Sequence, residues 1–254
     1  MIEKALHDKL MEKWAKVGRG CYQKWSRMHR LEFFLKHIHH FKGKQVLELG
    51  ANAGIYGYEI AQVAKSYVGV DKGDYYHKQS LITKKYIKNP DVEFILGNIK
   101  DFIKMDLRGE APKYNALFAS FALYHFSNTE TDRITETILP KCDVVIISTR
   151  TSKRKAFNKY NSWKFEKPEN VVKYLKDFKC EIHWPKVKKF AVIIGVRNEN
   201  KRSGKGDTEG VGRTPEGRGT SSIKKRRTDE GLQKRDVKRQ DANAKGNDEL
   251  LPSQ

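Results

Sequence analysis

Along residues 44–197 the apolar positions fall into two alternating kinds of block. Short continuous runs, closed by glycine or a polar residue, occur at residues 46–49, 67–70, 92–96, 114–119 and 143–148. Strands buried on both faces of a parallel sheet require such runs. Between them lie segments with helical spacing or helix stop signals: one beginning near residue 55, one over 74–88 ended by Asn89-Pro90, and one over 129–139. Ahead of the first strand, Leu31, Phe34, Leu35 and Ile38 predict an amphipathic helix over 28–41 that packs on the sheet. After the fifth, Val171, Val172, Leu175 and Phe178 predict a helix over 168–178. Two further strands, over 180–184 and 189–197, are joined by a short link through Pro185. So short a link makes a hairpin, and at least one of these strands must run against the others.

Chemistry concentrates where the first strand ends. Gly50 to Gly54 break it into a tight turn before the helix, and the second strand ends in Asp71, 21 positions after Gly50. An α/β nucleotide site keeps at that distance the acid that accepts hydrogen bonds from two ribose hydroxyls. Glycine suits the turn because a ligand there lies against bare backbone and the helix N–H groups point at it. The spacing is Gly-x-Asn-x-Gly and not Gly-x-Gly-x-x-Gly. A pyrophosphate site wants a third glycine for close helix packing, so a single-nucleoside ligand fits better.

Glu48-x-Gly50-x-Asn52-x-Gly54, followed by Val68-Gly69-Val70-Asp71, resembles motifs I and II of class I S-adenosylmethionine-dependent methyltransferases. The resemblance implies that Glu48 and the loop of Gly50, Asn52 and Gly54 hold the methionine end, and that Asp71 holds the ribose. It also implies a Rossmann-like α/β fold: a seven-stranded, mostly parallel sheet closed by a C-terminal antiparallel hairpin, with helices on both faces. That arrangement separates the chain from a dinucleotide dehydrogenase. The family usually has glycine at the position of Asn52, and asparagine is the other residue that best tolerates left-handed backbone. A sheet of this kind without a ligand is the alternative. The family's third motif ends in an acid that meets the adenine amino group, and here the position is Asn98. Its amide can accept and donate without charge. Equally, Asn98 is an ordinary strand-end turn residue.

Residues 120–126 form the loop at the carboxyl end of the fourth strand, where open α/β sheets place ligands, and Ser120 is assigned there to the cofactor. Leu123-Tyr124-His125-Phe126 is similar to the loop of class I enzymes acting on small molecules and on tRNA wobble uridine, which places Tyr124 against the substrate. The Asp/Asn-Pro-Pro-Tyr/Phe clamp of amino-methylating DNA enzymes is absent, as are the Pro-Cys nucleophile of cytosine-C5 enzymes and the Asp of cap 2′-O enzymes. His125 is the candidate general base, or it only packs and orients. Arg150, Lys153, Arg154 and Lys155, with Lys159, Tyr160 and Trp163 following, leave the fifth strand at the ligand face if the sheet is parallel to that point. Cations among aromatics suit phosphates and unstacked bases; a solvated loop is the bland reading.

Composition sharpens the substrate question. The net charge is +20. Residues 201–254 carry 14 basic against 9 acidic residues, which leaves +15 on residues 1–200. A folded part so basic points to a polyanionic partner, RNA before a membrane surface. Cys21, Cys142 and Cys180 form no ligand pattern, which fits a reduced intracellular, cytoplasmic setting. No apolar run reaches bilayer length. Residues 1–42 form a helical, basic and aromatic extension in which Trp14 and the residues to Arg27 border the substrate mouth or merely cover apolar sheet surface. His37, His39 and His40 point in different directions on a helix, so no metal site is expected. Residues 43–197 are the methyltransferase domain. From residue 198 to 254 no aromatic occurs and aliphatics are few, so a disordered basic tail is expected, in which Lys224 to Arg227 resembles a nuclear localisation run. The reading is a methyltransferase of RNA that works by positioning for in-line displacement. The alternatives are a methyltransferase of a small molecule or protein, and a nucleic-acid-binding protein that keeps the fold without turnover.

Overall fold

The computed structural model of the chain describes residues 1–17, 28–150, 167–186 and 190–198, which lie in one unit, Met1–Gly206. Seven strands appear in it: β1 (Gln45–Leu49), β2 (Ser66–Asp71), β3 (Val92–Leu96), β4 (Ala116–Ser120), β5 (Val144–Arg150), β6 (Phe178–His183) and β7 (Phe190–Arg197). They form one sheet in the order β3-β2-β1-β4-β5-β7-β6. β1 to β5 pair in parallel. β7 runs antiparallel to both β5 and β6, so six strands point one way and β7 alone opposes them. The chain has the mostly parallel, hairpin-closed α/β fold expected from its sequence.

Strand register divides the core in two. Leu47, Leu49, Leu117, Ala119, Val145 and Ile147 face α5 (Ile99–Leu107), the turns at 134–139 that follow α6 (Asn128–Arg133), and α7 (Pro168–Tyr174). The intervening Val46, Phe118 and Ile146 face α1 (Lys4–Ala15), α2 (Met28–Leu35) and α3 (Ile55–Ile60). α4 (Asp74–Lys84) lies beside α1 and α3. Alternate residues serving opposite faces explain why the strands read as unbroken apolar runs.

Several helices end differently from the expectation, for local reasons. The helix foreseen over 28–41 divides into α2 and a 3₁₀ turn at Ile38–Phe41. Bonds from His37 N to Phe34 O and from His40 N to His37 O span three residues, and the imidazoles at 37, 39 and 40 are weak helix formers. α4 stops at Lys84 and continues as tight turns, with Tyr86 N bonded to Thr83 O and Ile87 N to Lys84 O. α6 starts on a capping box between Ser127 and Glu130, widens to a π turn at Ile134–Ile138 and closes as a 3₁₀ turn at Leu139–Lys141. Pro140 has no N–H to give and its ring crowds the carbonyl four residues back, so the α spacing cannot continue. Leu175 leaves helical backbone at φ −96°, ψ 46°, which hands Phe178 to β6.

Trp14 is 0% exposed. Its indole Nε1 donates to Gln79 O at 3.1 Å, and Gln79 Nε2 donates back to Trp14 O at 3.3 Å. Trp14 is thus packed against α4, and residues 18–27, the rest of the segment expected to border the substrate mouth or to cover the sheet, lie outside those described.

Candidate active site

Parallel strands put the ends of β1, β2, β4 and β5 on one edge, so Gly50, Asp71, Ser120 and the backbone of Arg150 sit along one side of the sheet. In the β1–α3 loop Gly50, Asn52 and Gly54 all adopt left-handed backbone, with φ of 80°, 52° and 83°. Asparagine therefore takes the conformation that the turn demands. Asn52 Oδ1 accepts from Ala53 N at 2.8 Å, and its N–H donates to Asp71 Oδ2 at 2.8 Å. Asp71 Oδ1 accepts from Gly73 N at 2.9 Å. The acid at the end of β2 thus clamps the glycine loop, and each carboxylate oxygen keeps a lone pair for a further donor.

The glycines also make room for the protein's own atoms. A Cβ on Gly50 would stand 2.7 Å from Ala122 Cβ, and one on Gly54 2.8 Å from the Phe94 ring. The loop that follows β4 is therefore seated directly on the β1–α3 loop. The close helix packing that the motif spacing lacks is supplied by Gly57 inside α3. A Cβ there would meet the Tyr67 ring at 2.6 Å, and Gly69 on β2 makes room for the same side chain, with a Cβ reaching Tyr67 Oη at 2.6 Å.

Through that gap the Tyr67 hydroxyl reaches Glu48 Oε2. Glu48 is 1% exposed, and Oε1 has no hydrogen-bond partner among the described residues. Burial pushes its carboxyl well above the ordinary range; the Tyr67 hydroxyl opposes that shift and the nearby Asp71 charge adds to it. A cation delivered to Oε1 would restore the carboxylate.

At the end of β4, Phe121 has φ 56°, a strained conformation for an aromatic residue. Its N–H is fixed to Ser148 O at 3.0 Å. The Arg30 guanidinium from α2 lies 4.6 Å from its ring centroid. Tyr56 of α3 packs on Phe118 and Phe34, at ring distances of 5.2 and 5.4 Å. Burial pushes its hydroxyl up to about 12, against the pull of the Ser120 hydroxyl and the Arg30 charge. Arg30, Tyr56 and Phe121 thus join Ser120 and Glu48 at the site edge, although sequence reasoning assigned them no role. Arg30 was visible as a cation beside the Leu31 and Phe34 stripe. Nothing marks a left-handed phenylalanine, since only glycine and asparagine signal such positions.

Asn98 caps α5: Oδ1 accepts from Asp101 N at 3.0 Å. His125 is exposed in a single 3₁₀ turn, Leu123–His125. The side chains of Tyr124 and Arg150 lie outside what the structure describes, as do Lys153, Arg154, Lys155, Lys159, Tyr160, Trp163 and residues 199–254. His37 turns to His183 of β6, with ring centroids 4.4 Å apart, while His39 and His40 stack on each other at 4.2 Å. Among the described residues no group of three or more His, Cys, Asp or Glu side chains is arranged to hold a metal ion. Nor is any described helix long and apolar enough to cross a membrane.

No protein-family model matches the chain, and no curated protein does. Solved structures do. DhpI in complex with SAH is 15% identical, with a TM-score of 0.53 over 76% of this chain and 97% of its own. Magnesium protoporphyrin IX methyltransferase from Synechocystis PCC 6803 with bound SAM is 13% identical, with a TM-score of 0.51 over 78% of this chain and 99% of its own. The N-terminal domain of EvdMO1 with SAH bound is 13% identical, with a TM-score of 0.53 over 78% and 98%. The fold of the described residues is that of class I methyltransferases.

Proposed function

We propose that the chain is an S-adenosylmethionine-dependent methyltransferase and that its substrate is RNA. The observation that carries the first half is the clamp of Asp71 on the glycine loop: left-handed Gly50, Asn52 and Gly54 held to an acid at the next strand end. The three similar structures hold SAM or SAH, which supports the same ligand here. When bound, S-adenosylmethionine supplies an electrophilic methyl group on a sulfonium. Asp71 accepts from the ribose hydroxyls, and the buried Glu48 Oε1 is the acceptor for the ammonium of the methionine end. Gly50 and Ala53 bring backbone close to the ligand. The loop from Ser120 to His125 borders the space where a nucleophile would approach, and His125 is the group there able to take a proton at neutral pH. Catalysis then rests chiefly on holding two reactants in line.

RNA is favoured by charge: +15 on residues 1–200, and a strand, β5, that ends in Arg150 on the ligand edge before Lys153, Arg154 and Lys155. A small-molecule substrate is the second reading, and the likeness to a porphyrin methyltransferase supports it. Incubation of the protein with methyl-labelled cofactor and total cell extract decides between them. Label released by ribonuclease supports RNA; label resistant to nuclease and protease supports a small molecule; no transfer at all removes the enzymatic reading.

A further inference from the structure

Away from the loop of Gly50 and Asp71, α1 and the end of α4 bring several lysines together around Tyr86. Lys13 Nζ lies 2.6 Å from the Tyr86 hydroxyl and 5.1 Å from its ring centroid; Lys9 Nζ is 5.7 Å from the same centroid. Lys85 adjoins Tyr86 in the chain, and its charge, with those of Lys9 and Lys13, depresses the tyrosine hydroxyl, the hydrogen bond from Lys13 being the largest cause. All three lysines are exposed.

Some lysines of the fold are held in ion pairs, and others, like these three, have none among the described residues. Lys4 pairs with Asp8, Lys78 with Asp74, Lys104 with Asp101 and Lys141 with Asp106. Among the described residues none of Lys9, Lys13 and Lys85 has a carboxylate within ion-pair distance, and Glu12 of α1 makes no pair with them either. Like charges converging on one point repel unless an anion lies between them. The hinge of this arrangement is rigid, because Trp14 and Gln79 lock α1 to α4 by two reciprocal hydrogen bonds. A tyrosine hydroxyl that accepts from Lys13 still has its own proton to give, so one phosphate oxygen can be met by Tyr86 while others meet the ammonium groups.

We propose that Lys9, Lys13, Lys85 and Tyr86 form a docking surface for the phosphodiester backbone of single-stranded RNA, distinct from the segment that follows Arg150. The inference rests on the RNA reading given above. Its role is to hold the strand by phosphate contacts that carry no sequence information, leaving selection of the base to the catalytic edge.

The test uses the full chain and a labelled single-stranded RNA oligomer of mixed sequence, with affinity measured across a range of salt. Three triple variants are compared with the wild type. Lys9→Gln/Lys13→Gln/Lys85→Gln removes the unpaired charges. Lys4→Gln/Lys78→Gln/Lys104→Gln removes as many from lysines that already have partners. Lys9→Arg/Lys13→Arg/Lys85→Arg keeps charge while changing shape. The expected result is that the first variant lowers the slope of log affinity against log salt by about 2, at roughly 0.7 per lost contact to a single strand. The second leaves the slope near that of wild type, the arginine variant retains it, and all three keep the wild-type melting temperature and cofactor affinity. If wild type binds RNA with a steep salt dependence and the first and second variants are equal, the docking surface is wrong while the RNA reading stands. If wild type binds no RNA, both fall. If the first variant loses adhesion to anionic phospholipid vesicles without change in RNA slope, the partner is a lipid surface and the proposal is overturned.

Discussion

Asp71 fixes the loop through Asn52 and Gly73, and the proposed function gives the same carboxylate the ribose hydroxyls. Asp71→Ala is expected to weaken S-adenosylmethionine binding by about 1.5–3 kcal/mol, the range for charged hydrogen bonds, and Asp71→Asn by less; calorimetric titration of the three proteins checks this, and equal affinities would remove Asp71 from the cofactor site. Gly50 offers a second test, because its left-handed φ and its contact with Ala122 can be separated. Gly43 has φ 69° with open space around its Cβ position, whereas a Cβ at Gly50 would stand 2.7 Å from Ala122 Cβ. Gly43→Ala therefore pays only for backbone, about 1 kcal/mol, and Gly50→Ala should cost up to about 3 kcal/mol, read from urea unfolding; equal losses would mean that the β4 loop yields freely. At this scale the sequence is legible where chemistry dictates residue type. Asn52 stands where left-handed backbone was foreseen, and Asp71 meets its loop. Gly57 went unread because what it makes room for, the Tyr67 ring, comes from another element, and Gly69 was quoted only as part of a motif, without its packing against that ring. The same holds for Arg30, which reaches Phe121 only once α2 is laid across the sheet.

Among the elements, strands were legible because burial on both faces leaves little choice of residue, and their observed limits shift by a few positions at most. Helix ends were less so, since Pro140, Leu175 and the run from His37 to His40 act through hydrogen-bond geometry that periodicity does not register. That histidine run gives the connection between α2 and the sheet a pH response. His37 is pushed down to about 4, chiefly by burial, then by His183, His40, His39 and Lys36. Around it, His40 is lowered by burial and by His39 and raised by Glu181, which itself lies 3.2 Å from His183 Nε2. In the unfolded chain His37 titrates near its ordinary value, so its neutral ring favours the fold fully above that value. The contribution is lost as pH falls from there toward 4. Melting temperature should therefore drop between pH 7 and about pH 5, and His37→Gln should flatten that dependence. A parallel drop in both proteins would place the acid sensitivity elsewhere.

For the whole molecule, the described fold closes with β7, and residues 201–254 hold no aromatic residue. Removing residues 201–254 should leave the melting temperature and cofactor affinity unchanged, and a fall of many degrees on truncation would show that the segment contributes to the core. Fold class could be read in advance because it follows from the order of runs and turns along the chain. The cluster proposed to dock RNA could not, since lysines at 9, 13 and 85 are far apart until α1 lies on α4. The position of β7 also sets a schedule for synthesis. It lies between β5 and β6 although it is the last of the described strands in chain order, so a ribosome must finish Arg197 before β6 has any partner and before β5, already paired with β4, has its second. Until then β5 is an open edge and β6 has nothing to pair with, which exposes the nascent chain to pairing with other chains. Messages cut short ahead of Phe190 would accordingly give aggregates and not smaller working proteins.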